Sequence, residues 1–185
     1  MAYIDTRIRH GVYGYSLSTP EGQTMRNLRD PLSYSAWCKG ILFRIPHVVL
    51  LGEMDQAAYQ RALHTIVHVL LHAALPYIGG QIQEIGGLVM FPYGYLLLFD
   101  QPTGSGVCAM LLPHLSTVFQ RAADILTCTC KNPNGCPRCT FLPRCSSRND
   151  NLDKFGAQAI LRQILDQTLE FSLGDYYDHH TQVVQ

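Results

Sequence analysis

Five of the chain's seven cysteines fall inside eighteen residues, in the run CTCKNPNGCPRCTFLPRC at 128–145. Their spacing is that of metal ligands. Cys136-Pro-Arg-Cys139 is a C-x-x-C turn preceded by Gly135, and such a turn can aim two sulfurs at one ion. Cys128-Thr-Cys130 supplies a second pair, because a C-x-C outside a regular strand is free to point both side chains the same way. Zinc suits four thiolates held tetrahedrally, and a closed set of four leaves no position for water, so the expected ion is structural. The candidate ligands are Cys128, Cys130, Cys136 and Cys139, with Cys145 a fifth candidate for four places. An iron–sulfur cluster also takes four cysteines, and C-x-x-C alone can be a redox pair, although thioredoxin-like motifs open a helix in a βαβ setting. The isolated Cys38 and Cys108 read as buried apolar residues.

Other groups with chemical potential are fewer. His64, His68 and His72 recur every four residues and so share a helix face, as a packing and hydrogen-bonding stripe or, in the rival reading, as metal ligands. Gly104-Ser105-Gly106 before a helix could offer amides to a phosphate, but reads first as a turn with Ser105 as N-cap, Asp100 being able to cap the same turn. Lys131, Arg138, Arg144, Arg148 and Lys154 surround the cysteines and could form a local basic patch. No role is expected of DYYDHH at 175–180.

The elements that must position these groups follow from pattern. RIRHGVYGYSL at 7–17 predicts a strand interrupted or bulged at Gly11 and Gly14, STPEGQ a turn, and ILFRI at 41–45 a second strand, with VVLL at 48–51 an extension of it or the start of packing. Asp55 should cap a long buried helix reaching about Leu75, stopped by Pro76 and Gly79-Gly80, with Leu63, Ile66, Val67, Leu70, Leu71 and Ala74 inward. GLVMF and GYLLLFD predict a hairpin over 87–100. A second helix should cover 107–126, bent or truly begun at Pro113, and a third 152–173, with Phe155, Ile160, Leu161, Ile164, Leu165 and Leu169 inward. The order predicts an α+β fold: an antiparallel sheet packed with three main helices, and a four-cysteine zinc loop between the last two. One domain is expected, its core at about 7–173, with 174–185 as a flexible tail.

With 47% hydrophobic and 15% charged residues the chain has a globular composition, and fourteen basic residues balance fourteen acidic ones, so no global field draws nucleic acid. The absence of a long apolar run or an N-terminal apolar segment predicts a cytoplasmic protein with no membrane partner, where clustered cysteines bind metal more often than they pair.

These residues resemble a known family. CTCKNPNGCPRCTFLPRCSSRNDNLDKFGA is similar to the C-terminal zinc-binding domain of MrfA-type DEAD/DEAH-box DNA repair helicases, whose pattern runs C-x-C, G-C-P-x-C, then in many members a further S-P-x-C and N-x-x-L-D-K leading into a final helix. Upstream, HAALP followed by EIGG, the loop LLLFDQPTGSGV and the strand VYGYSLSTPEG resemble further family segments, so the likeness runs from about Val12 to Leu173. Glu84 stands where the family has Asp, Thr103-Gly104-Ser105-Gly106 replaces a Gly-Gly-x-Gly loop, and the interval from Cys130 to Cys136 is longer than usual. The resemblance implies Zn2+ on Cys128, Cys130, Cys136 and Cys139, Cys145 belonging only to a subset of members. It implies a non-catalytic module working with a DEAD/DEAH-box helicase in cis or in trans, with DNA as a further candidate partner, in DNA repair or anti-phage defence. The chain itself has no G-x-x-x-x-G-K-[ST] loop or DExH box and no room for two motor lobes. The rival expectations are a metal- or His-dependent enzyme acting on nucleic acid or nucleotide, through His64, His68, His72 or the Asp100 loop, and a pure protein-assembly adaptor.

Overall fold

The computed structural model describes residues 2–19, 22–45, 54–79, 81–90, 94–101, 104–166 and 182–184. Two long strands, β1 (Ala2–Thr19) and β2 (Gly22–Arg44), form an antiparallel hairpin whose register shifts between Val12 and Gly14. The bulge expected on the first strand is therefore present. Opposite it, β2 skips from Leu32 to Asn27, a stretch that includes Pro31, which has no N–H to give to a ladder. β2 continues against β4 (Tyr95–Asp100), which pairs with β3 (Ile85–Met90), and β5 (Gln182–Val184) lies parallel to β1. The sheet order is β3-β4-β2-β1-β5. The expected α+β class and the β3–β4 hairpin are borne out, while the second strand begins far earlier than its apolar end suggested. VVLL at 48–51 lies outside the described residues, as does the expected tail apart from β5.

The 23-residue helix α1 (Gln56–Ile78) runs through the core. Asp55 caps it, its Oδ1 accepting from the Ala58 N–H at 2.7 Å. Contrary to expectation, Pro76 does not stop it. The proline removes one hydrogen bond in the last turn, and termination falls to Gly79, whose φ of +63° is left-handed. All six apolar residues assigned inward on this helix are buried. They meet Phe43, Leu96 and Leu98 of the sheet on one side and the later helices on the other. Along β4, Leu97 and Phe99 point the opposite way, into a second cluster with Ile8, Cys38, Leu42 and Leu88.

The helix expected over 107–126 is broken at Pro113. Helix α2 (Val107–Leu111) passes through a 3-10 turn, Leu112–His114, into α3 (Leu115–Leu126). Helix α4 spans Lys154–Leu165. Its buried face is Lys154, Ala157, Ile160, Leu161 and Ile164, whereas Phe155 is 52% exposed, Leu165 is half-buried, and Leu169 lies outside the described residues. The correction at Phe155 is one of helical phase, since 154, 157, 161 and 164 form one i, i+3, i+4 row and 155 lies beside it.

One close contact on the sheet gives a direct test. A Cβ built on Gly86 would enter the Phe99 ring, with Cε2 2.6 Å away. Phe99 thus lies over the glycine on the partner strand, and Gly86→Ala is expected to destabilise by about 1–3 kcal/mol through overpacking. Urea unfolding measures this, and a midpoint equal to the parent's would disprove the packing account.

Candidate metal centre and its supports

Residues 127–153 join α3 to α4 without regular secondary structure, so their order has to come from side chains and turns. The turn at 136–139 is built from backbone first. The Cys136 carbonyl accepts from the amides of Cys139, Thr140 and Phe141 at 3.0 to 3.2 Å, and the Cys136 N–H points at Cys139 Sγ, 3.2 Å away. Gly135 enters this turn at φ +86°, where a side chain would be strained and would also strike Thr140 Cγ2 at 2.7 Å. Buried Thr140 donates to the Asn134 carbonyl at 2.6 Å and so closes the loop ahead of the turn.

Four sulfurs converge there. Cys128 to Cys136, Cys130 to Cys139 and Cys136 to Cys139 are 3.8, 3.7 and 3.7 Å apart, and all four lie within 4.8 Å of one another. Zinc–sulfur bonds of about 2.3 Å in a tetrahedron place the sulfurs about 3.8 Å apart, so the donor set fits one such ion. The separations are far longer than the roughly 2.05 Å of a disulfide. They are also those of four sulfurs around a single centre, not of sulfurs spread over the irons of a cluster. The thiols are unequal. The Arg138 amide pulls Cys136 down to about 7, and burial pushes Cys139 up to about 12. A cation at the centre would bring both to thiolate.

Helix α1 holds this loop with its histidines. His68 Nδ1 lies 2.7 Å from the Thr140 carbonyl, His72 Nε2 3.0 Å from the Phe141 carbonyl, and His64 Nδ1 3.3 Å from the Asn151 carbonyl. Carbonyls only accept, so each ring donates, and the stripe expected to hydrogen-bond does so. Burial pushes His68 down to about 4, against the opposing pull of the Thr140 carbonyl, and it lowers His64 as well, which keeps both rings neutral. Asn149 makes a paired bond to Leu142, its Oδ1 accepting from the amide at 2.8 Å and its Nδ2 donating to the carbonyl at 3.0 Å. Asp153 caps α4 through the Gly156 amide at 2.8 Å, while its own N–H donates to Thr65 Oγ1 of α1 at 2.8 Å. Each polar residue in Asn149–Lys154 that sequence left without a task, save exposed Asp150, serves this junction.

Lys154 overturns its sequence assignment. Instead of joining a basic surface patch it is 2% exposed, and its Nζ donates to the carbonyls of Cys128 and Cys130, the latter at 2.9 Å, and approaches Cys130 Sγ at 3.5 Å. One sequence signal pointed this way. A lysine opening a helix opposes the helix dipole, so its charge needs a partner elsewhere. Lys131, Arg138, Arg144 and Arg148 are exposed.

The 104–106 turn is also corrected. Gly106, not Ser105, takes the N-cap position of α2, and the carboxylate of Asp100 accepts from the amides of Gly106 at 3.0 Å and Cys108 at 2.8 Å. A protein carboxylate thus already occupies the amides that a phosphate would use. Asp100→Ala should cost about 1–3 kcal/mol by leaving buried donors unpaired, read as a fall in thermal midpoint. An unchanged midpoint would count against this capping role. Cys38 and Cys108 are buried as expected, and Cys145 stands apart from the other four, beside His64.

Comparison with known proteins agrees with this arrangement. Residues 66–140 match the family model described as the MrfA Zn-binding domain, which bears out the resemblance read from the motifs. The crystal structure of the DUF1998 helicase MrfA bound to DNA superposes on 90% of this chain with a TM-score of 0.50 and 14% identity, a likeness of fold. The chain spans 25% of that helicase's length. No curated protein gives a significant match.

Proposed function

We propose that this chain is a single helicase-associated module in which Zn2+, held by Cys128, Cys130, Cys136 and Cys139, fixes the junction between α3 and α4. The observation that carries the reading is the tetrahedral spacing of four sulfurs inside a fold like that of one quarter of a helicase bound to DNA. Four thiolates close the ion off from water, so its work is structural, and the module acts by docking to a DEAD/DEAH-box helicase in cis or in trans and by guiding nucleic acid. Exposed Lys131, Arg138, Arg144 and Arg148 around the loop supply phosphate contacts independent of sequence. DNA repair or anti-phage defence in the cytoplasm is the setting that fits such a partner. Among the described residues no helix is long and apolar enough to cross a membrane.

The test has two parts. Metal analysis of the purified protein should find zinc, one equivalent of which is lost in Cys→Ser variants of the four. Helicase assays with and without the module, and DNA titrations at two salt concentrations, should show stimulation and a salt-dependent affinity. Absence of zinc would defeat the metal reading. Nuclease or nucleotide hydrolysis by the folded chain alone would defeat the accessory one.

A further inference from the structure

The second group of candidate ligands owes nothing to the tetrad. His64 and His68 sit one turn apart on α1, with ring centroids 4.5 Å apart. Each uses Nδ1 as a donor to a carbonyl of the 127–153 segment, Asn151 for His64 and Thr140 for His68. With the proton on Nδ1, the lone pair of each neutral ring lies on Nε2. An imidazole oriented in this way by a backbone carbonyl is the usual state of a metal-ligating histidine.

From the opposite side Cys145 brings its Sγ to 3.5 Å from His64 Nε2, and the ligand atoms of His64, His68 and Cys145 lie within 4.8 Å of one another. Bonds of about 2.05 Å to nitrogen and 2.3 Å to sulfur, at a tetrahedral angle, separate the two donors by about 3.6 Å. A simple thiol–imidazole hydrogen bond accounts for Cys145 and His64 but leaves the convergence of His68 on the same point unexplained. The three residues line a cavity of about 860 Å³ whose wall also includes Arg61, Arg144 and Ser147.

We propose that His64 Nε2, His68 Nε2 and Cys145 Sγ form a second metal site, for a divalent transition ion of the zinc class, with its remaining position open to this cavity. Two imidazoles and one thiolate are too soft for magnesium or calcium and match zinc. Three protein ligands with one vacancy differ in kind from the closed tetrad, since the ion can take an exchangeable fourth ligand. Arg61 and Arg144 make that ligand anionic, a phosphate or carboxylate oxygen. His64 and Cys145 both lie outside the 66–140 segment that matches the zinc-binding family model, so this site is not the one that match describes.

The test counts metal in the whole chain after incubation with excess zinc and gel filtration. The parent should retain two equivalents, and Cys145→Ser and His64→Gln one each. Cobalt substitution shows that these variants remain folded: Cys145→Ser should lose the single-thiolate contribution and keep the tetrathiolate spectrum. In zinc-loaded parent, alkylation mapped by mass should spare Cys145, and His64→Gln should expose it. One equivalent in the parent, or ready alkylation of Cys145 in zinc-loaded protein, overturns the proposal without use of any variant.

Discussion

Cys136→Ser is expected to leave the protein without tetrad zinc and with a melted 127–153 segment. The magnitude follows from what else holds that segment. It has no helix or strand of its own, and Cys136 both contributes a sulfur and supplies the carbonyl that closes the turn. Zinc contributes about 10–16 kcal/mol of apparent free energy to small zinc domains at neutral pH. Whole domains stand only about 5–15 kcal/mol above unfolding. A core built on α1 and the sheet can survive the loss, since Leu63, Ile66, Leu70, Leu96 and Leu98 pack together without the loop. The melting midpoint should therefore fall by about 10 °C or more, on the usual scale of 2–4 °C per kcal/mol for chains of this size. Amide exchange should become fast across 127–153 first, with the middle of α1 last to follow. Chelation of the parent should reproduce the pattern. A variant that retains the tetrad's equivalent of zinc and melts within about 2 °C of the parent would remove Cys136 from the ligand set.

What could be read from sequence was local. Asp55 announces its helix because a cap and its amide lie three residues apart, and Pro113 breaks a helix wherever it falls. The C-x-C and C-x-x-C pairs are likewise local geometry, completed by two contacts across the short loop between them. The first half of β2 was hidden because MRNLRDPLSYS does not alternate, and its pairing with β1 is set by the partner strand. Helical period assigned α4 a buried face but placed Phe155 on it in place of Lys154, since hydrophobicity cannot show that a lysine has carbonyl partners 24 and 26 residues back. Cys145 and His64 are 81 residues apart, a juxtaposition that only the packing of α1 against the loop creates. Long-range polar contacts are what the amphipathic pattern leaves out, and here they gather around the cysteine loop.

Lys154 is where that omission has its largest consequence. Four thiolates on one divalent ion would outweigh its two positive charges, and the excess would lie beside the Lys154 ammonium group. The ammonium group has three protons and three acceptors within reach, the Cys128 and Cys130 carbonyls and the Cys130 sulfur, so its hydrogen-bonding capacity is filled. Lys154→Met keeps the volume of the stem and removes charge and donors together. It should cost about 3–5 kcal/mol, the range for removing one member of a buried charge pair. It should also weaken zinc by about 10–100-fold, the range for lost outer-shell partners of a metal site. Lys154→Arg keeps the charge but presents a wide planar fork to a pocket shaped around a compact ammonium, so it should rescue the variant only in part. Urea unfolding reads the first quantity, and competition with a chromophoric chelator reads the second. If Lys154→Met binds zinc as tightly as the parent, the lysine fastens the loop to α4 without tuning the metal.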